Sequence, residues 1–427
     1  MRRTLILALA LLVPLFAAAN PKISGKNLSK YTIVYNAASE AEEGIDVAEH
    51  LAASIKDAFG LTLPIAESSK AVKGSKIAIG LGEEKELFDY SIKTSKGNLC
   101  IDGGGCWALE KAADILVEKL SKKNIPSKFS LEGTVYGEQL FPLTEGANLR
   151  ILDDNIWDYS KETIPDAWKD LPIDCRDASR WKGFAQLIRA YMPDIITLQE
   201  YAPHMHGYLY PALEEYGYKI CYVPGEGQPW GHTPVFYRTE TIDMEYVNYN
   251  LYTPERFSNI GSKSYVAAVF TQKASGKKFA VVSTHLWWKG ENAQPGSDYA
   301  RAAQTRLIMA EGEILKAEYK CPIFVCGDMN AYEDAPAIQQ FLEGGYKQCY
   351  EIATVRTDNH NGHHICAPKD GYSRESRRRS PTRKEGAIDH CLLYNGGSTE
   401  VLTFDCVMAA FTVPLTDHYP NVIDVRL

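Results

Sequence analysis

The sequence predicts an α/β protein in which packed β-sheets are flanked by helices and preceded by a smaller α/β domain. Three observations predict it. From Asn148 onward, short apolar runs of strand length dominate, with a few long helical stretches between them. Residues 21–140 alternate strand and helix signals on a finer scale. The chain has 427 residues, 45% hydrophobic and 23% charged, enough for two domains each with its own core.

The first nineteen residues read as a signal peptide. Arg2-Arg3 form a basic start, Leu5 to Phe16 an apolar core, and Ala17-Ala18-Ala19 a small-residue cleavage site, so the expectation is export to the periplasm or medium with Asn20 as the mature start. No Cys follows the apolar core, which argues against a lipid anchor, and no later stretch is long enough to span a bilayer.

The first domain is expected over residues 20–122. Tyr31–Tyr35 is a strand, Ile45–Phe59 carries apolar residues at helical spacing, and Leu61–Ile65 and Lys76–Ile79 are short strands. Tyr90–Thr94 and Asn98–Asp102 form a hairpin, and Gly103-Gly104-Gly105 leads into a helix over Trp107–Leu120. The glycine run lacks both the Walker lysine and the spaced dinucleotide fingerprint, which argues against a nucleotide site. Residues 123–145, with scattered Lys, Pro and Gly, read as a connector.

The second domain, residues 146–427, opens with a strand over Leu149–Ile156, a helix over Ser179–Tyr191 and strands over Ile195–Leu198 and Pro234–Tyr237. Tyr265–Gln272 and Lys278–Ser283 are strands around a Ser275-Gly276 turn, and a helix over Asp298–Glu318 leads to the strand Pro322–Cys326. Strands over Ala387–Leu393, Val401–Met408 and Val422–Leu427 complete it.

Ten cysteines in an exported chain permit disulfides without demanding them. Cys321, Cys326, Cys391 and Cys406 fall in or beside strand-like runs and read as buried thiols. Cys100 with Cys106, and Cys349 with Cys366, flank loops and are the disulfide candidates. Neither pair has metal-finger spacing, and His204-x-His206 and His363-His364 lack a third ligand at a recognised spacing.

Polar residues stand at the mouths of several strands: Asn155, Gln199-Glu200, His285, Gly327-Asp328-Met329-Asn330, Asp389 and Thr416-Asp417-His418. Phosphoester hydrolysis needs a cation to neutralise phosphoryl oxygens, a group to orient or deprotonate water, and donors aimed at the developing charge. Glu200, Asn155 and Asp417 offer the hard oxygens that Mg²⁺ prefers, Mn²⁺ being the substitute. Asp328 and Asn330, two apart, can share one mouth while Met329 faces away. Asp389 can bond one ring nitrogen of His418 and fix its tautomer, and His285 adds a second imidazole. Taken singly, each is also an ordinary strand terminus, turn or cap.

In this order the set resembles the endonuclease/exonuclease/phosphatase superfamily, over about residues 146–427. The resemblance implies a four-layer α/β sandwich, two packed sheets with helices outside and the site at one end. It also implies Glu200 as the principal Mg²⁺ ligand, with Asn155 and Asp417 near the metal or phosphate. Asp328 takes the place of the water-orienting acid, Asn330 of the transition-state amide, and Asp389 with His418 of the acid–imidazole pair. His285 matches a second histidine that contacts phosphate or the leaving group. Which of Asp328 and His418 removes the proton stays open. Trp157 stands where some nuclease members carry an acid, which puts a second metal in doubt. The first domain resembles the accessory α/β domain before the barrel of family 20 glycosidases, but no eight-fold repeat follows.

Trp287-Trp288-Lys289 reads either as packing or as a surface for a base, sugar or lipid, and Arg374–Lys384 as a solvated basic loop or a grip on further phosphates. Arg301 and Gln304, one helical turn apart, read as bracing their helix against the sheet. Residues 145–427 hold 29 Lys and Arg against 37 Asp and Glu, a poor balance for tight binding of duplex DNA. The expectation is an exported Mg²⁺-dependent phosphoesterase acting on a small organic phosphate or phospholipid head group. The alternatives are a secreted nuclease acting on DNA or RNA, and a catalytically silent glycan-binding protein. No protein partner is evident.

Overall fold

The computed structural model describes residues 21–36, 43–157, 177–222, 233–252, 257, 263–357, 386–407, 412 and 415–427. Residues 1–19, expected to be a signal peptide, the basic segment Arg374–Lys384, His363-His364 and Cys366 lie outside these. The chain divides into two compact units, with the break in the main chain after Glu138.

In the first unit, β1 (Lys22–Ile23) and β2 (Lys26–Asn27) pair with each other. A six-stranded sheet contains β3 (Tyr31–Tyr35), β4 (Ile65–Glu67), β5 (Ser75–Ile79), β6 (Asp89–Ser95), β7 (Asn98–Gly103) and β8 (Ser130–Thr134), in the order β4-β3-β5-β7-β6-β8. Helices α1 (Glu43–Phe59) and α2 (Cys106–Lys122) bury their apolar faces, with Val47, Leu51, Ile55, Ala112 and Leu116 inaccessible to solvent. The expected hairpin is present, β6 and β7 being antiparallel. Three expectations fail. Leu61–Pro64 is not a strand: pairing with β3 begins at Ile65, beyond Pro64. Within the expected connector, β8 pairs with β6 along Ser130–Thr134, its Leu131 opposite Ile92. Cys100 and Cys106 are free thiols.

The second unit holds two larger sheets. The first contains β9 (Leu149–Asn155), β10 (Ile195–Gln199), β11 (Tyr218–Ile220), β12 (Val235–Arg238), β18 (Val355–Arg356), β20 (Glu400–Cys406) and β21 (Asn421–Arg426), in the order β11-β12-β10-β9-β21-β20-β18. The second contains β13 (Ile242–Leu251), β14 (Ser264–Gln272), β15 (Lys278–His285), β16 (Ile323–Asp328), β17 (Lys347–Gln348) and β19 (Asp389–Tyr394), in the order β13-β14-β15-β16-β19-β17. Helices α3 (Asp177–Tyr191) and α4 (Pro203–Glu215) follow β9 and β10, and α5 (Ser297–Tyr319), α6 (Pro336–Glu343) and the short α7 (Cys349–Ile352) follow β15, β16 and β17. The central strands β9, β10, β15, β16 and β19 are buried at nearly every position, as strands covered on both faces must be. The α5 and α6 side of the second sheet is sealed by Ile308, Leu315, Ile338 and Phe341 against Val282, Val325 and Leu392. This is the expected sandwich of two sheets with helices outside.

Strand register sets the chemistry. β9 and β10 run parallel with Asn155 beside Gln199. β15 and β16 run parallel with His285 beside Asp328, and β16 and β19 antiparallel with Asp328 beside Asp389. His285, Asp328 and Asp389 therefore form one row across the second sheet. Gly327, directly below, has φ +145°, and a Cβ there would fall on the Thr284 carbonyl oxygen. Only glycine lets β16 pass β15 so closely. Gly327→Ala is expected to destabilise the fold by roughly 2 kcal/mol or more, read as a lowered midpoint in thermal unfolding.

Candidate functional site

The row meets the end of β9 at the Asp328 carboxylate. Oδ2 accepts from Asn155 Nδ2 at 2.9 Å and lies 3.2 Å from His285 Nε2 and 3.9 Å from His418 Nε2. Oδ1 accepts from the Asn330 backbone N–H at 2.8 Å. Burial opposes its ionisation, but His285, His418 and Lys263 outweigh burial and hold the carboxyl well below the usual carboxylate range.

Asn155 Oδ1 accepts from the Trp157 N–H at 3.0 Å, so its amide nitrogen faces the acids, 3.4 Å from Glu200 Oε1. In this orientation Asn155 presents a donor to the carboxylates. Gln199 turns inward and donates to Asp153 Oδ1 at 2.9 Å, whereas Glu200 adopts the left-handed region at φ 56° and turns toward the opening, its side chain 27% exposed. Asn330 is also left-handed, at φ 47°, and donates one amide hydrogen to Leu286 O at 3.2 Å. Such backbone in non-glycine residues costs energy and persists where surrounding contacts enforce it.

His418 Nδ1 lies 2.8 Å from Asp389 Oδ2. Burial would lower the imidazole's affinity for a proton, but Asp389 and Asp417 raise it well above the ordinary histidine value. Asp417, one third exposed, places Oδ1 3.7 Å from His418 Nε2, and that buried oxygen has no hydrogen-bond partner among the described residues. Thus Asn155, Glu200, His285, Asp328, Asn330, Asp389, Asp417 and His418 all come to one end of the two sheets.

Two further residues belong to the site. Lys263, just before β14, is buried and contacts His285 Nε2. Burial pushes its ammonium down to about 8 against the opposing pull of Glu200 and Asp328. A signal for it existed: a hairpin around Ser275-Gly276 must bring the start of its first strand beside the end of its second, next to His285. Arg180, on α3, donates to Ile156 O at 2.8 Å, Leu415 O at 2.5 Å and Trp157 O at 3.0 Å, pinning the segments that carry Asn155 and Asp417. No sequence signal separates it from Arg189, the other arginine of that helix.

Arg301 and Gln304 do not brace the sheet as expected. They hold the loop after β15, Arg301 donating to Trp287 O and Lys289 O at 3.0 and 2.8 Å and Gln304 Oε1 accepting from Trp287 N at 2.9 Å. His206 bonds Tyr201 and stacks on Tyr210, a packing role.

Among the described residues, two groups have ligand atoms close enough together to hold a metal: Glu200, His285 and Asp328, and Asp328, Asp389 and His418. Of these ligand groups Glu200 is the least buried, its side chain 27% exposed, and its carboxylate suits a hard divalent cation.

The fold and this end-of-sheet cluster define a class of phosphoester hydrolase. The chain belongs to the endonuclease/exonuclease/phosphatase family, whose model matches residues 177–414, more than half of the sequence. Among solved structures it is similar to a mannosyl-6-phosphatase from Bacteroides thetaiotaomicron, at 17% identity over 65% of this chain and 99% of that one, with a TM-score of 0.50. It is also similar to an endonuclease/exonuclease/phosphatase protein from Bacteroides vulgatus, at 21% identity over 65% and 98%, with a TM-score of 0.49. Among curated proteins it is 29% identical over 107 residues to the CCR4-Not complex 3'-5'-exoribonuclease subunit Ccr4 of Candida albicans, covering 22% of this chain and 13% of that relative's length.

Replacing the Asp389 carboxylate removes the leading cause of His418's raised proton affinity. Asp389→Asn is expected to lower the pH at which the His418 imidazole titrates by about one unit or more, followed by imidazole NMR shifts, with secondary structure retained.

Proposed function

We infer that residues 139–427 form a Mg²⁺-dependent phosphoesterase of an exported protein, which hydrolyses a small organic phosphate or a phospholipid head group by in-line attack of water. The observation that carries this is the convergence on Asp328. An ionised carboxylate is framed by His285, His418 and Lys263, while the acids Glu200 and Asp417 stand at the opening. Glu200 and Asp417 would hold the divalent cation, which would supply Lewis-acid neutralisation of phosphoryl oxygen.

The chain's own residues do the rest. Asp328, held ionised, accepts a hydrogen bond from water and aims it, but its low proton affinity makes it a weak base on its own. His418, held protonated by Asp389, donates toward phosphoryl oxygen or the leaving group. The released proton is taken up within the coupled Asp328–His418–Asp389 group, whose titration belongs to the group. The second amide hydrogen of Asn330, with Lys263 and His285, supplies donors to charge that develops in the transition state. Asn155 and Arg180 position. The acid excess of residues 145–427 gives weak long-range attraction to polyanions, which favours compact phosphoesters over duplex nucleic acid.

Excess chelator should abolish turnover and Mg²⁺ or Mn²⁺ restore it, and Glu200→Gln should raise the Mg²⁺ needed for half-maximal rate by roughly tenfold or more. The measurement is a panel of phosphomonoesters, phosphodiesters, sphingomyelin and plasmid DNA, with and without metal. Undiminished turnover in chelator would remove the metal role. Plasmid cleavage with the soluble esters and sphingomyelin untouched would reassign the substrate to nucleic acid.

A further inference from the structure

The loop after β15 carries two adjacent tryptophans with opposite fates. Trp287 is 3% exposed and packs edge-on against Phe257, with ring centroids 5.9 Å apart. Trp288 is 53% exposed. Arg301 is itself buried, and its guanidinium clamps the carbonyls on both sides of Trp288, while Gln304 clamps the Trp287 N–H. A large apolar ring is thereby held in water on a rigid backbone, and the Lys289 ammonium lies 5.3 Å from its centroid.

Trp288 stands three residues past His285, so its backbone lies within about 11 Å of the catalytic row. On the loop after β16, Tyr332 is 46% exposed and stands two residues past Asn330. The Asn330 amide donates to Leu286 O, tying the two loops to each other beside the acids. Two exposed aromatic rings thus belong to loops that are hydrogen-bonded to each other next to the row of site residues.

We propose that Trp288 is a specificity residue: its face stacks on a ring in the alcohol portion of the substrate, so that the enzyme selects phosphoesters whose alcohol carries a ring. Flat apolar faces of pyranoses and of nucleosides both satisfy that chemistry, and an acyclic polyol phosphate does not. A rigid platform favours such stacking because little conformational freedom is lost when the ring arrives. The proposal rests on the phosphoesterase reading above and refines its substrate class.

The test compares kcat/KM of the full chain, Trp288→Ala and Trp288→Phe with Mg²⁺ on a hexose 6-phosphate, a nucleoside 5'-monophosphate and glycerol 3-phosphate. The expected result is that the preference of the wild-type protein for a ring-bearing ester over glycerol 3-phosphate falls about tenfold or more in Trp288→Ala. Trp288→Phe should keep most of that preference, with unfolding midpoints alike. Whichever ring-bearing ester loses more identifies the ring as sugar or nucleoside. A loss equal on all three esters, or none, overturns the proposal while leaving the phosphoesterase reading intact. No Mg²⁺-dependent turnover of any phosphoester by the wild-type protein overturns the reading and the proposal together.

Discussion

The arrangement depends on one buried anion. A carboxylate withdrawn from water costs several kcal/mol unless it is paired and hydrogen-bonded. Asp328 meets that cost with the Asn155 amide, the Asn330 backbone N–H and the imidazoles of His285 and His418. These partners come from the ends of β9, β15 and β16 and from the segment before β21, so both sheets contribute. The electrostatic requirement of one side chain therefore fixes how the ends of two sheets meet, and the same contacts leave that side chain ionised.

Register supplies the accuracy. His285, Asp328 and Asp389 are opposite one another by backbone pairing, a relation that a slip of one residue would destroy by turning each side chain to the other face. Gly327 permits the close strand contact, and the left-handed turns at Glu200 and Asn330 redirect side chains that the strand pleat alone would send elsewhere.

Much of this was legible in the sequence. The central strands are continuous apolar runs ending in polar residues, so the ends of β10, β15, β16 and β19 could be placed to within a few residues and the acids and imidazoles with them. What was hidden depends on tertiary contact. Lys263 can be placed only through the Ser275-Gly276 hairpin, which sets the start of β14 beside the end of β15, and Arg180 cannot be told from Arg189 until its carbonyl partners are seen. Strand β8, with Leu131 between polar neighbours, is too short and too polar to announce itself before β6 offers it an edge. Arg301 has the spacing of a helix–sheet brace, yet its guanidinium reaches the loop carbonyls beside Trp288. The Leu61–Ile65 expectation failed because Pro64 lacks the N–H that a strand interior requires.

The positive groups at the centre, Lys263 and His418, are both buried, as is His285, whose imidazole burial holds toward the neutral form. They act at contact range on a phosphoryl group already in place, while the acid excess of residues 145–427 does nothing to draw a polyanion from a distance. In the function proposed above, that division suits a substrate that is compact and carries its charge on one phosphate. The measurement that tests the central claim most directly is kcat of Asp328→Asn on a small phosphoester at saturating Mg²⁺, paired with its thermal unfolding midpoint. The account predicts a fall of roughly 100-fold or more in kcat in a protein that remains folded. A folded Asp328→Asn variant with near wild-type kcat would contradict it.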